Sequence, residues 1–470
     1  MRTLSSCFAL FASRLHSSSR TQDLRFYCRA VSTFSGASRK TPIIVEPSVH
    51  EAIYQWHEGV EDLEDYSPGG LHPVHLDETY HGGRYRIVHK LGFGSFSTVW
   101  LAWDTLRHKF AALKILRADV SQENTETVIL ARLAAGQAEH PGRSYTTTLV
   151  DSFFIAGPNG RHQTIVTEAA GFSVAISKEL STTWMFPLQV ARAIAAQLLL
   201  GLSYVHSCGV VHGDIHTNNV LFKHSCFSSQ SVEELYQRVG EPQRLPVKRL
   251  DEQPPGPEVP RYCVPSASIV ISAEEVTKAD IIIADFGEAF LCDTGSRTDV
   301  NLRTPLLLLP PEAIFHEGVN QAADVWTAAC TLYEILGERP LFEGFMADED
   351  HVVAEMVSTI GRLPEHWWSS WGARRDYFLE DGCWDTNTTK MHEPRSRPLA
   401  ERLRIMGRGD GTTSSEFTTQ QLAAIDDLLG SMLTYEPTRR ITAKDALDSR
   451  WMTQYGLPAI EQLNATPPTA

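Results

Sequence analysis

The sequence predicts an α+β chain of two lobes, a small one built on an antiparallel sheet and a larger, mainly helical one after it. Three observations carry that expectation. Residues 85–103 alternate apolar and polar side chains around a glycine turn, and 110–116 and 164–167 add strand-like runs, so the sheet falls before residue 168. Residues 190–205 instead place Ile194, Leu198, Leu199, Leu202 and Val205 at helical spacing, where the helical part begins. That helix leads into a polar loop, Val211-His212-Gly213-Asp214-Ile215-His216-Thr217-Asn218-Asn219, which ends in the apolar run Val220-Leu221-Phe222.

With 470 residues, 42% of them apolar, the chain can hold one large bilobal domain or two to three ordinary ones. No uninterrupted apolar run approaches the roughly 18 residues of a spanning helix, so no membrane span is expected. Eight cysteines lie scattered without a paired short spacing, which argues against a zinc site or disulfide framework and for a reducing compartment. The net charge of −15 hides a division: residues 1–40 hold seven basic residues against one acid, and the remainder holds 35 basic and 56 acidic residues. An acidic body disfavours direct nucleic-acid binding and favours basic partners. The basic stretch, with Phe8, Leu10, Phe11 and Leu15 among Arg2, Arg14 and Arg20, has the composition of a mitochondrial presequence and equally that of a disordered tail.

Residues 41–84 read as a turn-rich lead-in segment. The hairpin that follows carries Leu91-Gly92-Phe93-Gly94-Ser95-Phe96-Ser97-Thr98-Val99. Glycines at such a turn let backbone N–H groups approach phosphates, although a plain hairpin reads the same on that ground alone. Lys114 stands inside the apolar run Phe110-Ala111-Ala112-Leu113-Lys114-Ile115-Leu116. A buried ammonium needs a partner. Phosphates would serve, as would a helix carboxylate; Glu126, ahead of Val128, Ile129 and Leu130, fits that place, with Glu123 competing.

Asp214, five residues before Asn219, has the spacing that phosphoryl transfer uses: the carboxylate receives the proton of an attacking hydroxyl, and the amide holds a metal ion against the phosphates. Asp285, at the end of the apolar run 281–284 and followed by Phe286-Gly287, adds a carboxylate for magnesium. Small-molecule phosphotransferases of the aminoglycoside and choline kinase type carry a similar His-Gly-Asp-x-His string. Downstream, however, come Thr304-Pro305, Pro310-Pro311-Glu312, Asp324-Val325-Trp326 and Glu436-Pro437-Thr438-Arg439-Arg440, a set that resembles the protein kinases.

That resemblance implies a bilobal eukaryotic protein kinase fold over 85–452, with a small lobe at 85–168, a hinge at 168–171, a large lobe at 172–452 and a frayed tail at 453–470. It implies ATP and Mg2+ as cofactors. Leu91, Gly92, Gly94, Ser95, Val99 and Ala112 would enclose the nucleotide, with Thr167, Glu168 and Ala170 at the hinge. Lys114 would hold the α- and β-phosphates and Glu126 would orient it; Asp214 is the base, Asn219 and Asp285 are the metal ligands, and His216 is a γ-phosphate contact. Glu312 would pair with Arg440, Asp324 would anchor the catalytic loop, and Thr304 suits a serine/threonine substrate.

More closely, Glu64-Asp65-Tyr66 ahead of Gly69-Gly70, and Phe96-Ser97-Thr98-Val99-Trp100-Leu101, are similar to segments of the serine/arginine-rich protein kinases. That family also has an insertion where residues 224–278 stand here; their Pro-rich stretch Pro254-Pro255-Gly256-Pro257 reads as a spacer without a core. Asp348, Asp350 and Glu355 resemble its acidic docking region. The resemblance implies Arg/Ser-rich protein substrates such as splicing factors, a role in mRNA processing, a monomer, and a cytoplasmic or nuclear place that competes with the presequence reading. Gly213 replaces the arginine that pairs with a phosphorylated activation segment, so activity without that phosphorylation is expected. His216 replaces a lysine and Ser97 a glycine, which keeps open a pseudokinase scaffold beside the small-molecule phosphotransferase.

Overall fold

Alternation in the first strands is deeper than a one-faced sheet requires, and a computed structural model of the chain gives the reason. It describes residues 52–465 apart from 229–230, 268, 293–294, 345 and 409–415, so the basic stretch at 1–40 lies outside the described residues. Strands β1 (Thr79–Tyr80), β2 (Tyr85–Gly94), β3 (Ser97–Asp104), β4 (Lys109–Leu116), β5 (Leu149–Gly157) and β6 (Gly160–Glu168) form one sheet in the order β1-β2-β3-β4-β6-β5. Every pairing in it is antiparallel. The sheet begins at Thr79, six residues before the expected edge of the small lobe. Helix α1 (Glu126–Ala134) lies between β4 and β5 in sequence.

Successive residues of β2 to β4 serve two cores. Ile87, Trp100, Ala102 and Ala111 point into one cluster with Leu113 and Val166, while Val88, Leu101 and Phe110 join Val232, Leu235 and Ile269 in another. Both faces are covered, so apolar side chains of these strands point to either side of the sheet. The second cover comes from the insertion, which corrects the expectation of a coreless spacer. Its helix α4 (Val232–Val239) is capped by Ser231 and buries Leu235 completely. Tyr236 donates its hydroxyl to the Val88 carbonyl at 2.7 Å. Further along, Val247, Val259 and Cys263 share a small core with Tyr54, Val60, Leu63, Tyr66 and Leu71 of the lead-in segment.

The large lobe is built on α3 (Leu188–Ser207), which follows the short α2 (Val174–Glu179). By length and composition α3 could cross a membrane, with a mean hydropathy of 1.4, but it is 89% buried inside the protein as the lobe's central helix. The chain continues through β7 (Val210–Val211) and β8 (Val220–Phe222), then β9 (Leu245–Pro246) and β10 (Tyr262–Cys263) within the insertion, and then β11 (Ile281–Ile283) and β12 (Phe290–Leu291). The antiparallel pairs β8 with β11 and β7 with β12 bring the loop after β7 beside the segment after β11. Helices α5 (Pro311–Ile314), α6 (Gln321–Leu336), α7 (Glu349–Ile360), α8 (Glu365–Ser370), α9 (Leu399–Arg404), α10 (Thr419–Met432) and α11 (Ala443–Ala446) complete the lobe. The expected frayed tail is corrected as well: α12 (Leu457–Ala465) continues the fold, with Trp451, Met452 and Ala459 buried in the core that contains α3.

Candidate active site

Lys114 lies in β4 opposite Val99 of β3 and Ile165 of β6, in the middle of the sheet. Its Nζ donates to Glu126 Oε2 at 2.8 Å and to Asp285 Oδ1 at 2.7 Å. Glu126 is the first residue of α1 and is 4% exposed, and its backbone N–H donates to Asn124 Oδ1 at 2.9 Å. The choice between Glu123 and Glu126 therefore falls to Glu126. Burial alone would push the Lys114 ammonium down; the Glu126 and Asp285 carboxylates outweigh it and hold it well above the usual lysine range. In return the Lys114 charge holds the Asp285 carboxyl down at about 2. Asp285 adopts a φ of +59°, a left-handed conformation that few non-glycine residues take, just where β11 ends. The next side chain, Phe286, is fully buried with its ring 4.7 Å from that of His212.

The loop after β7 is fixed from below. Asp324, in the first turn of α6, accepts from the backbone N–H of His212 at 2.7 Å and of Gly213 at 2.8 Å, and lies 2.9 Å from His206 Nε2. His212 is buried, which lowers its pKa; its Nε2 faces the Ala284 carbonyl at 3.1 Å and its Nδ1 accepts from Asp214 N at 3.2 Å. Gly213 has a φ of +78°, and a Cβ there would stand 2.9 Å from the Glu288 carbonyl oxygen. Backbone conformation and close approach both require glycine at this position.

Asn219 Nδ2 lies within hydrogen-bond distance of Asp214 O at 2.9 Å, Asp214 Oδ2 at 3.0 Å and His216 Nε2 at 3.1 Å, which leaves Asn219 Oδ1 for another partner. His216 Nδ1 accepts from Asn218 N at 3.2 Å, and its Nε2 lies 3.3 Å from Asp214 Oδ2. Asp214 Oδ1 is buried with no partner among the described residues. An orphaned carboxylate oxygen in a cleft points to a donor brought by a ligand. A magnesium ion fits the donor set of Asp285 and Asn219, since that ion takes few protein oxygens and keeps waters and phosphates. Among the described residues no cluster of three or more His, Cys, Asp or Glu forms a richer metal site.

Above this loop, Gly92 pairs with Val99, and Ala112 pairs with Thr167 at the end of β6. Added Cβ atoms at Gly92 and Gly94 would meet nothing, so crowding within the chain does not dictate glycine there. Leu91 and Val99 are half-buried, Ala112 and Ala170 buried, and Ser95 and Glu168 exposed. Below, Glu312 and Arg440 form a buried two-pronged pair at 2.8 and 2.9 Å. Thr304 donates its hydroxyl to the Gly213 carbonyl at 2.7 Å.

The three acidic docking candidates divide. Asp348 is exposed and caps α7 by accepting from His351 N at 2.8 Å; Asp350 accepts from Trp371 Nε1 at 2.8 Å. Glu355 is removed from the set: it is 1% exposed and bound internally to Arg397 at 2.6 Å and Arg402 at 2.9 Å. Its position on the inner face of α7 follows from helical spacing, which the acidic composition of that stretch obscured. Sequence reasoning also missed Glu288 and Arg303, although each adjoins a recognised motif.

The protein kinase domain family matches residues 85–230 and 266–452, so the chain belongs to the protein kinase family. The gap between the two matched parts spans α4, β9 and β10. Within the family its similarity is to the SR-protein kinases. The protein kinase dsk1 of Schizosaccharomyces pombe is 26% identical, over 86% of this chain and 88% of its own. The serine/threonine-protein kinase SRPK of Physarum polycephalum is 29% identical over 83% and 91%, and human SRSF protein kinase 3 is 37% identical over 34% and 29%. The chain is accordingly a serine/threonine protein kinase, with an antiparallel-sheet small lobe and a helical large lobe.

Proposed function

We propose that this kinase transfers the γ-phosphoryl group of ATP to serine or threonine hydroxyls in Arg/Ser-rich proteins, splicing factors among them. The observation that carries the chemistry is Lys114 held between Glu126 and Asp285, together with an Asp214 Oδ1 that has no partner among the described residues. ATP with magnesium supplies the transferable group and offsets its charge. Lys114 engages the α- and β-phosphates while Glu126 keeps its ammonium aimed. Asp285 and Asn219 Oδ1 are the oxygens for magnesium. Asp214 Oδ1 accepts the proton of the attacking hydroxyl, because Oδ2 is already engaged by Asn219. His216 places Nε2 beside that carboxylate, at the position where the usual pattern has a lysine.

Two features support activity without phosphorylation of the activation segment. Gly213 has no room for a phosphate-binding side chain, and the segment is already tied to the catalytic loop through Thr304 and the pairing of β12 with β7. For the substrate, the acidic body and the carboxylates of Asp348 and Asp350 suit arginine side chains, which carboxylates bind in two-pronged fashion. The name of the human relative, SRSF protein kinase 3, points the same way. The test offers labelled ATP, magnesium and two peptides, one of Arg/Ser repeats and one with serine among acidic residues. The expected result is a preference in kcat/KM for the Arg/Ser peptide of about tenfold or more, the scale of one charged two-pronged contact. Equal labelling would reject the arginine-docking part. ATP binding without labelling of either peptide would favour the scaffold reading.

A further inference from the structure

The tip of the glycine-rich hairpin touches the activation segment through one side chain. Arg303 places its guanidinium carbon 5.0 Å from the centre of the Phe96 ring, between β2 and β3. Its Nη1 lies 3.6 Å from Glu288 Oε1. Glu288 directly follows Asp285-Phe286-Gly287, and Arg303 directly precedes Thr304, whose hydroxyl binds the Gly213 carbonyl. Arg303 thus joins the hairpin to the segment that carries Asp285, and its neighbour Thr304 ties both to the loop that carries Asp214.

The residues involved have no packing reason to be where they are. Phe96 is 45% exposed at the tip of a turn, and the Arg303 and Glu288 side chains are 49% and 33% exposed. A large aromatic ring left in solvent at the tip of a turn is explained by a partner that uses its face. The guanidinium is that partner, and Glu288 fixes the direction from which it approaches.

We propose that Arg303 is a positioning residue that latches the tip of the hairpin, through Phe96, in the closed position over the nucleotide. In many kinases a charge on the activation segment organises the site only after phosphorylation; here a built-in arginine reaches the hairpin directly. This rests on the nucleotide lying beneath the hairpin, as in the reading above. Exposed cation–π contacts are worth a factor of about 2 to 5 in an equilibrium constant, so the latch is a modest, reversible one.

The experiment measures the Kd of a fluorescent ATP analogue, together with KM for ATP, KM for peptide and kcat. The variants are Phe96→Leu, which keeps apolar bulk but loses the ring face, Arg303→Gln, and their combination. The latch predicts that each single change weakens nucleotide binding about 2- to 5-fold and raises KM for ATP with it. Peptide KM stays constant, the double variant is no worse than the worse single, and Phe96→Trp restores binding. Multiplying effects in the double variant, or a change confined to peptide KM, would overturn it and assign Arg303 to the substrate peptide. A wild-type chain that binds the analogue but transfers no phosphate would refute the kinase activity instead, while the Kd comparison would still decide the latch. Thermal unfolding of each variant, expected at the wild-type temperature, separates the latch from loss of fold.

Discussion

Gly213 and Gly92 show how differently two glycines can be explained. Gly213 has a φ of +78° and lies against the Glu288 carbonyl, whereas an added Cβ at Gly92 would face open space. Gly213→Ala is therefore expected to cost about 1–3 kcal/mol of stability in denaturant unfolding, the range for a non-glycine residue forced into such a conformation. Gly92→Ala should stay within about 0.5 kcal/mol of wild type. Equal effects would show that Gly213 is not conformationally required. At this scale the sequence was legible where a motif names both residue and spacing: Lys114 and Glu126 do meet, as do Glu312 and Arg440, and Asp324 does hold the loop backbone, whereas the contact of Lys114 with Asp285 came from the structure alone. It was illegible where composition stood in for direction. Glu355 belongs to an acidic stretch, yet helical spacing turns it inward onto Arg397 and Arg402.

Among the elements, the insertion departs furthest from its composition. Pro254-Pro255-Gly256-Pro257 reads as a spacer, but the residues on either side supply Leu235 and Val259 to two separate cores. Their partners, Val88 and Leu101 in one case and Tyr54 and Leu63 in the other, are more than a hundred residues away in sequence, so no local pattern reveals them. Leu235→Ala should cost about 2–5 kcal/mol, as for other fully buried leucines, whereas a solvated spacer would tolerate it within about 0.5 kcal/mol. Unfolding in denaturant distinguishes the two. Helix α12 teaches the same lesson: Ala459 and Met452 gain meaning only from the core that contains α3, which the end of a sequence does not announce.

For the whole molecule, periodicity placed strands before residue 168 and a helix after residue 190, because both periods reflect backbone geometry directly, while the division into two lobes followed from the resemblance to protein kinases. What periodicity could not supply was the covering of the sheet on one face by Val74 and Leu76 of the lead-in segment and on the other by Val232 and Leu235 of the insertion. That covering fixes the sheet that carries Lys114, while Asp324 and Thr304 fix the loop that carries Asp214. The central claim is that these two halves form a working phosphotransfer site with Asp214 as its base. The most direct measurement compares wild type with Asp214→Asn for labelled phosphate transfer from ATP to an Arg/Ser peptide, with ATP affinity measured in parallel. The expected result is a loss of transfer of at least about 100-fold, the scale of general-base catalysis, with ATP affinity nearly unchanged. Wild-type turnover by Asp214→Asn, or ATP binding without any transfer by the unaltered chain, would contradict the account.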